Sequence, residues 1–358
     1  MILKNLIYIY QLENYNKKRF LFFVYRNLNW FKLSKRGKLN FTIRASLLFL
    51  ITSGIVFLVA GLVFWLSNLI ITIVFLLFLF IILPFIVICS DIIISPLVLF
   101  QKNRIIKQAK KIVLQNKERG LITIGITGSF GKTSMRNVLI SVLSEKYKIF
   151  TFSGNINTDI GVAQYIVNKK DEIANSEILI SEMGAYKIGD IKKLCQFIFP
   201  DYSVTTAIGE SHLDRFGSFE NIVSAKFELA NLTKLKIFLN ICDENVKKYA
   251  DNKINTKTEI VKVCGKKEIQ NFKILDNFKG ITFNYNDEEF QTKLIASYVV
   301  DFAIIAFKIA DELSLSMQEM KDGLKKLDFI PHRLEIIQNK ELNRIIINDG
   351  YNGNYAGF

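Results

Sequence analysis

Between Ala45 and Phe100 the chain carries one charged side chain, Asp91, in a stretch dominated by Leu, Ile, Val and Phe. A first uncharged run extends from Ala45 to Trp65 and a second from Leu69 to Cys89. At ~1.5 Å of rise per residue, each is long enough to cover the ~30 Å hydrocarbon layer of a bilayer. Ser67 and Asn68 are the polar break between them. The pattern therefore predicts a two-helix transmembrane hairpin within 45–100. Pro84 is expected to bend the second helix, with 91–100 continuing it or lying at the interface. The runs are too long and too deep in the chain for a signal peptide. A buried soluble hairpin would need the polar face that these runs lack.

The charge distribution follows this division. Ten basic side chains and one acid lie in residues 1–44, which leaves +6 of the net +14 for residues 101–358. Lys32, Lys35, Arg36, Lys38 and Arg44 precede the hairpin, and Lys102, Arg104, Lys107, Lys110 and Lys111 follow it. Basic flanks at both ends put both in the cytoplasm, as an even number of spans requires. Residues 1–44 mix basic and aromatic side chains, including Lys17, Lys18, Arg19, Phe22 and Trp30. That mixture suits an interfacial segment on anionic lipid, with a protein-binding helix as the competing reading. The excess charge sits beside the apolar runs, and the soluble part has no basic stripe with interleaved aromatics, so no nucleic-acid binding is expected. Cys89, Cys195, Cys242 and Cys264 show no paired metal spacing and are expected to be reduced thiols.

After a basic linker helix at 101–118, short apolar runs at 121–127, 177–181, 203–208 and 345–347 alternate with helical periodicity at 133–145, 219–232 and 297–313. This alternation predicts an α/β fold with a mostly parallel sheet. The strongest local signal, Gly125-Ile-Thr-Gly128-Ser129-Phe-Gly131-Lys132-Thr133-Ser134, lies between a strand and a helix. Its glycines would let backbone amides approach phosphate, Lys132 would reach the outer phosphates, and the Thr133 hydroxyl would bind Mg2+. The spacing is a variant of the usual phosphate loop, because the position of its first glycine is Ile126.

Two other apolar runs end in polar clusters, at Ser181-Glu182 and from Gly209-Glu210 through His212 to Ser218. Ligands of open α/β sheets bind at the carboxyl ends of strands, which makes Glu182 and His212 candidate metal ligands. Taken singly, Glu182 reads equally as a helix-end charge, and His212 reads more readily as a structural loop residue. Lys226 shares a stripe with Phe219, Ile222, Val223 and Ala230 on a helix capped by Ser218. Snorkelling is the default for such a lysine. Carboxylation, which would convert it to a metal-bridging anion, is the sharper alternative.

Six motifs taken together resemble the Mur ligases, in the order that family has them. They are Gly125–Ser134, Ser153–Gly161, Ser181–Ala185, Gly209–Ser218 with Ala225-Lys226, Arg333 in Pro-His-Arg-Leu-Glu, and Asn348–Asn354. The resemblance covers about 120–358 and is strongest to the D-alanyl-D-alanine-adding type. It implies a central ATP-binding domain over 119–338 and the start of a further domain at 339–358. It also implies ATP held by Lys132 and the loop amides, one Mg2+ at Thr133 and Glu182, and a second at His212 and a carbamylated Lys226. Lys132, Lys226 and His212 would be the catalytic groups. Asn155 and Asn157 would lie near the nucleotide or the acyl substrate, and Arg333 and Asp349 would contact ATP. The implied reaction activates the carboxylate of a UDP-muramoyl-peptide, or of a lipid-linked equivalent, as an acyl phosphate for attack by D-Ala-D-Ala.

Three departures from the family pattern stand out. The apolar hairpin replaces the UDP-sugar-binding domain. The adenine-contacting Gly/His/Asn positions read Ile295, Ser297 and Asp301. The strand at 343–348 is expected to have no sheet to join, so that the chain ends mid-domain and has little ligase activity by itself. A poly-γ-glutamate-type ligase and a catalytically inactive nucleotide-binding scaffold remain as alternatives.

Overall fold

The structure is a computed structural model that describes residues 2–27, 39–154, 156–328, 335–339, 344–348 and 350. It divides into two compact units, Met1–Arg104 and Ile105–Phe358.

In the first unit, α1 (Ile2–Leu12) and α2 (Lys17–Arg26) precede α3 (Ile43–Leu66) and α4 (Leu69–Lys117). The break between the two long helices falls on Ser67 and Asn68, as expected. The Ser67 hydroxyl donates to the Val63 carbonyl at 2.6 Å, and the Asn68 side chain accepts from the Ile71 amide at 3.0 Å. One helix is therefore closed and the next opened by side chains that satisfy terminal backbone groups. Both helices are long and apolar enough to cross a membrane. Most of their large apolar side chains, such as Phe57 and Trp65, face outward.

Two expectations about this region are corrected. First, 101–118 is not a separate linker helix, because α4 is one run of 49 residues that contains both Pro84 and Pro96. Its final turns belong to the second unit, where Ala109 and Val113 are fully buried in a core of the sheet domain. Second, the apolar side of α1 is not left for lipid. Leu6, Ile7 and Tyr10 are buried in one cluster with Ala45, Leu48 and Val87 of the hairpin.

A polar knot fixes that packing. The Arg44 guanidinium donates to both Asp91 oxygens, at 2.7 and 2.9 Å, and the Tyr10 hydroxyl donates to Asp91 at 2.9 Å. Arg44 also lies 4.0 Å over the Tyr15 ring, and Asp91 is 1% exposed.

The second unit contains a six-stranded parallel sheet. In chain order its elements begin with β1 (Ile122–Thr127), α5 (Lys132–Leu143), β2 (Ile149–Thr151), α6 (Asp159–Asn168) and α7 (Lys170–Ala174). They continue through β3 (Ile178–Glu182), α8 (Asp190–Ile198), β4 (Tyr202–Thr205), α9 (Leu213–Phe216) and α10 (Phe219–Asn231). The sheet is completed by β5 (Lys236–Asn240), α11 (Glu244–Lys253) and β6 (Glu259–Val263), after which comes α12 (Gly265–Glu268). Strand order is β2-β3-β1-β4-β5-β6. Helices cover both faces, so the strands are apolar throughout rather than alternating. Ile124, Ile126 and Val204 pack with α5 on one side, and Leu179, Ile237 and Leu239 pack with α10 on the other. In register, Ile126 is opposite Glu182, and Thr127 is opposite Thr205. The carboxyl ends of β1, β3 and β4 are thus level, at the interior of the sheet where such folds bind ligands.

A three-stranded antiparallel sheet follows, formed by β7 (Gln270–Ile274), β8 (Ile281–Tyr285) and β9 (Glu288–Thr292), which the sequence reading did not anticipate. Then come α13 (Tyr298–Glu312) and α14 (Met317–Lys326), which share a core with α5. The last elements, β10 (Glu335–Asn339) and β11 (Arg344–Asn348), pair antiparallel. The strand expected near 343–348 therefore has a partner, contrary to expectation.

The four-thiol expectation is also corrected, because Cys242 and Cys264 form a disulfide. They are 22 residues apart in sequence, but they follow the ends of the neighbouring strands β5 and β6. Cys195 is a buried free thiol, and burial pushes it up to about 12; Cys89 is free and exposed.

The Asp91 knot gives a stability prediction. Asp91→Ala strands a largely buried guanidinium and should cost about 3–5 kcal/mol, whereas Arg44→Met with Asp91→Leu should recover most of that loss. Thermal unfolding of the detergent-solubilised chain measures both. An unchanged midpoint for Asp91→Ala would show that the knot does not hold α1 to the hairpin.

Candidate functional site

Between β1 and α5 the backbone is held against the end of β4. Gly128 has φ +154°, and a Cβ there would lie 2.0 Å from the Thr206 hydroxyl oxygen. That hydroxyl is within hydrogen-bond reach of the Thr127 and Phe130 carbonyls. The Ser129 amide donates to the Ala207 carbonyl at 2.7 Å, and its hydroxyl donates to the Gly209 carbonyl at 2.9 Å. Gly131, with φ +79°, opens α5 without a side-chain cap, and a Cβ there would be 2.6 Å from the Phe302 ring. A glycine-lined turn that leads into an uncapped helix N-terminus is an arrangement that favours an anion. Lys132 donates to the Gly128 carbonyl at 2.6 Å, which holds its ammonium against the turn. Ser134 is buried in the first turn of α5.

Gly125 is set apart from these residues. It lies within β1, where a Cβ would meet Leu229 of α10 at 2.8 Å. Its missing side chain permits close helix–sheet packing.

Glu182 closes β3 and is 6% exposed. Thr133 donates to its Oε2 at 3.2 Å, and the Arg136 guanidinium lies 2.9 Å from its Oε1. The second contact is an ion pair without hydrogen-bond alignment, so Oε1 has no hydrogen-bond donor. Arg136 also donates to the carbonyls of Phe152 and Gly154, tying the segment after β2 to the end of β3. Asn157 belongs to that junction. Its carbonyl accepts from the Gly184 amide at 3.1 Å, and a Cβ on Gly184 would be 2.8 Å from its side chain. Asn155, Arg333 and Asp349 lie outside the described residues.

Lys226 is 3% exposed and has no hydrogen-bond or ion-pair partner among the described residues, so the snorkelling reading fails. Burial, reinforced by the nearby Lys132 charge, holds its amine well below the usual lysine range. His212 is exposed, in a left-handed conformation at φ 55°, with its ring edge-on to Tyr186 at 5.0 Å between centroids. Partial desolvation and then the charges of Arg215 and Lys226 hold its imidazole below the ordinary histidine value.

The structure thus joins Thr133 to Glu182 directly, holds Lys132 against the turn, and brings the Lys132 charge to bear on Lys226 and His212. The residues fit a magnesium-bound nucleoside triphosphate: the turn admits no Cβ, the buried Lys226 amine has no counter-ion among the described residues, and Thr133 and Glu182 are hard oxygen ligands.

Sequence reading missed Arg136 and Thr206. Arg136 was accessible through its i,i+3 spacing from Thr133, which puts both on one side of α5. Thr206 carried no local signal. A groove of about 480 Å³ lined by residues such as Arg119, Lys148 and Glu177 lies at the amino ends of the strands, away from this chemistry.

Residues 126–310 match the Mur ligase middle domain. The chain is 30% identical over 248 residues to the UDP-N-acetylmuramoyl-tripeptide--D-alanyl-D-alanine ligase of Bacillus subtilis, covering 69% of this chain and 53% of that one. Against the enzyme of the same name from Borreliella burgdorferi it is 29% identical over 239 residues, covering 66% and 50%. The chain thus spans about half the length of these relatives. In fold it is similar to MurF from Thermotoga maritima in complex with ADP, with a TM-score of 0.58 and 24% identity over 72% of this chain and 58% of that one. MurF from Acinetobacter baumannii gives a TM-score of 0.59 at 22% identity, covering 71% and 55%. With the Gly128–Lys132 turn, Glu182 and Lys226 all inside the matched residues, the chain belongs to the Mur ligase family.

Proposed function

We propose that this chain carries the ATP site of a peptidoglycan-precursor ligase that joins D-Ala-D-Ala to a UDP-muramoyl-peptide. The observation that carries the reading is the nearness of two amines, Lys132 and the buried Lys226, which has no partner among the described residues, at strand ends where a carboxylate is already hydrogen-bonded to Thr133. A buried amine with no counter-ion among the described residues is costly until an anion reaches it.

In this account the turn amides and Lys132 orient the phosphates, and Thr133 and Glu182 hold one Mg2+. When bound, Mg2+ supplies charge neutralisation on the outer phosphates. A substrate carboxylate oxygen attacks the γ-phosphorus as the bond to ADP breaks, giving an acyl phosphate. The D-Ala-D-Ala amine then attacks the acyl carbon, phosphate departs, and the amine loses its proton. None of this needs a nucleophilic side chain. Lys226 contributes as a carbamate: its neutral amine adds CO2, loses a proton, and becomes the anion that holds a second Mg2+ together with His212. The hairpin α3–α4 anchors the chain to the cytoplasmic membrane with the sheet domain in the cytoplasm, which gives a lipid-linked acyl substrate equal standing with the soluble one.

Two measurements test the site. Titration of the chain with MgATP should show Lys132→Ala weakening binding about 10–100-fold, the value of one charge-assisted contact. Glu182→Ala should remove the Mg2+ dependence of binding. Wild-type affinity in both variants would refute the assignment. With 13C-bicarbonate, the wild type should give a carbamate resonance that is absent in Lys226→Ala. No resonance in the wild type would remove Lys226 from the metal-ligand set while leaving the nucleotide site standing.

A further inference from the structure

Cys242, Cys264 and Asp301 come from three separate elements of the sheet domain. Cys242 follows β5, Cys264 precedes α12, and Asp301 is in the first turn of α13. Their ligand atoms all lie within 4.8 Å of one another. The neighbours of each are fixed by the backbone. The Cys242 amide donates to the Asn240 side chain at 3.2 Å, and the Lys266 amide donates to Asp301 Oδ1 at 3.0 Å. A Cβ on Gly265 would lie 2.6 Å from the Asp301 Cα, so α12 is pressed directly onto α13.

One contact here is chemically unsatisfied in the disulfide form. Asp301 Oδ1 lies 3.2 Å from the Cys242 sulfur. A half-cystine sulfur has no proton to give, so a carboxylate beside it gains nothing. The same contact becomes favourable once both sulfurs are thiolates around a shared cation. Two thiolates and one carboxylate are a donor set for a thiophilic divalent ion rather than for Mg2+. In the thiol-reducing compartment where the proposed ligase would work, neighbouring cysteines are more often metal ligands than a lasting disulfide.

We propose that Cys242, Cys264 and Asp301 form a Zn2+ site in the reduced protein, with Asp301 taken from the helix position that the family uses to contact adenine, and that the disulfide is its metal-free oxidised state. Binding releases the two thiol protons, and water completes the tetrahedron. The ion cross-links the ends of β5 and β6 to α13. The residue after Asp301 is Phe302, whose ring would be 2.6 Å from a Cβ at Gly131, so the cross-link fixes the helix that backs the phosphate turn.

The test uses the full chain in detergent, treated with a phosphine and a chelator. The phosphine cleaves the S–S bond to two thiols and is itself oxidised to the phosphine oxide with oxygen from water. Zn2+ is then titrated against a chromophoric competitor, and Co2+ is added in a parallel sample. The expected result is one tight equivalent of Zn2+ and a thiolate-to-cobalt absorption band in the wild type. Asp301→Asn should weaken binding by more than about tenfold, and Cys242→Ser should abolish the band. Cys195→Ser should leave both unchanged. The Co2+ spectrum of the wild type needs no variant to fold. Absence of that band, or equal Zn2+ affinity in wild type and Asp301→Asn, would overturn the proposal. Loss of MgATP binding with the band intact would overturn only the nucleotide reading.

Discussion

The sheet domain turns on the contact between Gly128 and Thr206. Backbone from β1 and side chain from the end of β4 approach so closely that a single added methyl group would sit 2.0 Å from the threonine oxygen. That contact fixes the turn on the strand ends, and the register of β1 with β3 then sets the height of Glu182. Thr133 and Arg136, one helical turn apart on α5, reach that carboxylate because the turn starts the helix there. Preorganisation of this kind matters for phosphoryl transfer, where catalysis rests on positioning and fixed charge.

The chain treats its buried charges in two opposite ways. Asp91 is nearly inaccessible, yet it receives a guanidinium through two oxygens and a phenol. This network is internally complete and its effect is structural, locking α1 to the hairpin. Lys226 is equally buried and has no partner at all among the described residues. An uncompensated buried amine is expensive, and such strain is the mark of a position whose partner arrives from outside. In the proposed function that partner is supplied by carbamylation and the bound ligands.

Much of this arrangement was readable from residue order. The phosphate turn, Glu182 at a strand end and Lys226 on an apolar stripe each have a local signature, and the strand at 344–348 emerged from its run of isoleucines. Other features depend on tertiary contact. Gly125 reads as a phosphate glycine in sequence, and its close approach to Leu229 shows only in the fold. The disulfide joins residues 22 apart that only strand pairing brings together. Continuity of α4 through two prolines, and the burial of its last turns in the sheet-domain core, have no signature in a local window of sequence. The β8–β9 hairpin did leave a local sign, because Asn286 and Asp287 both adopt positive φ in its turn. That pair of turn residues between alternating runs predicts a hairpin.

A crystal or electron-microscopy structure of this chain with Mg2+ and a non-hydrolysable ATP analogue tests the central claim most directly. The account predicts phosphates over the Gly128–Lys132 turn, the metal between Thr133 and Glu182, and extra density on the Lys226 amine. Nucleotide bound elsewhere, or Glu182 still engaged only by Thr133 and Arg136 with phosphates absent from the turn, would contradict it.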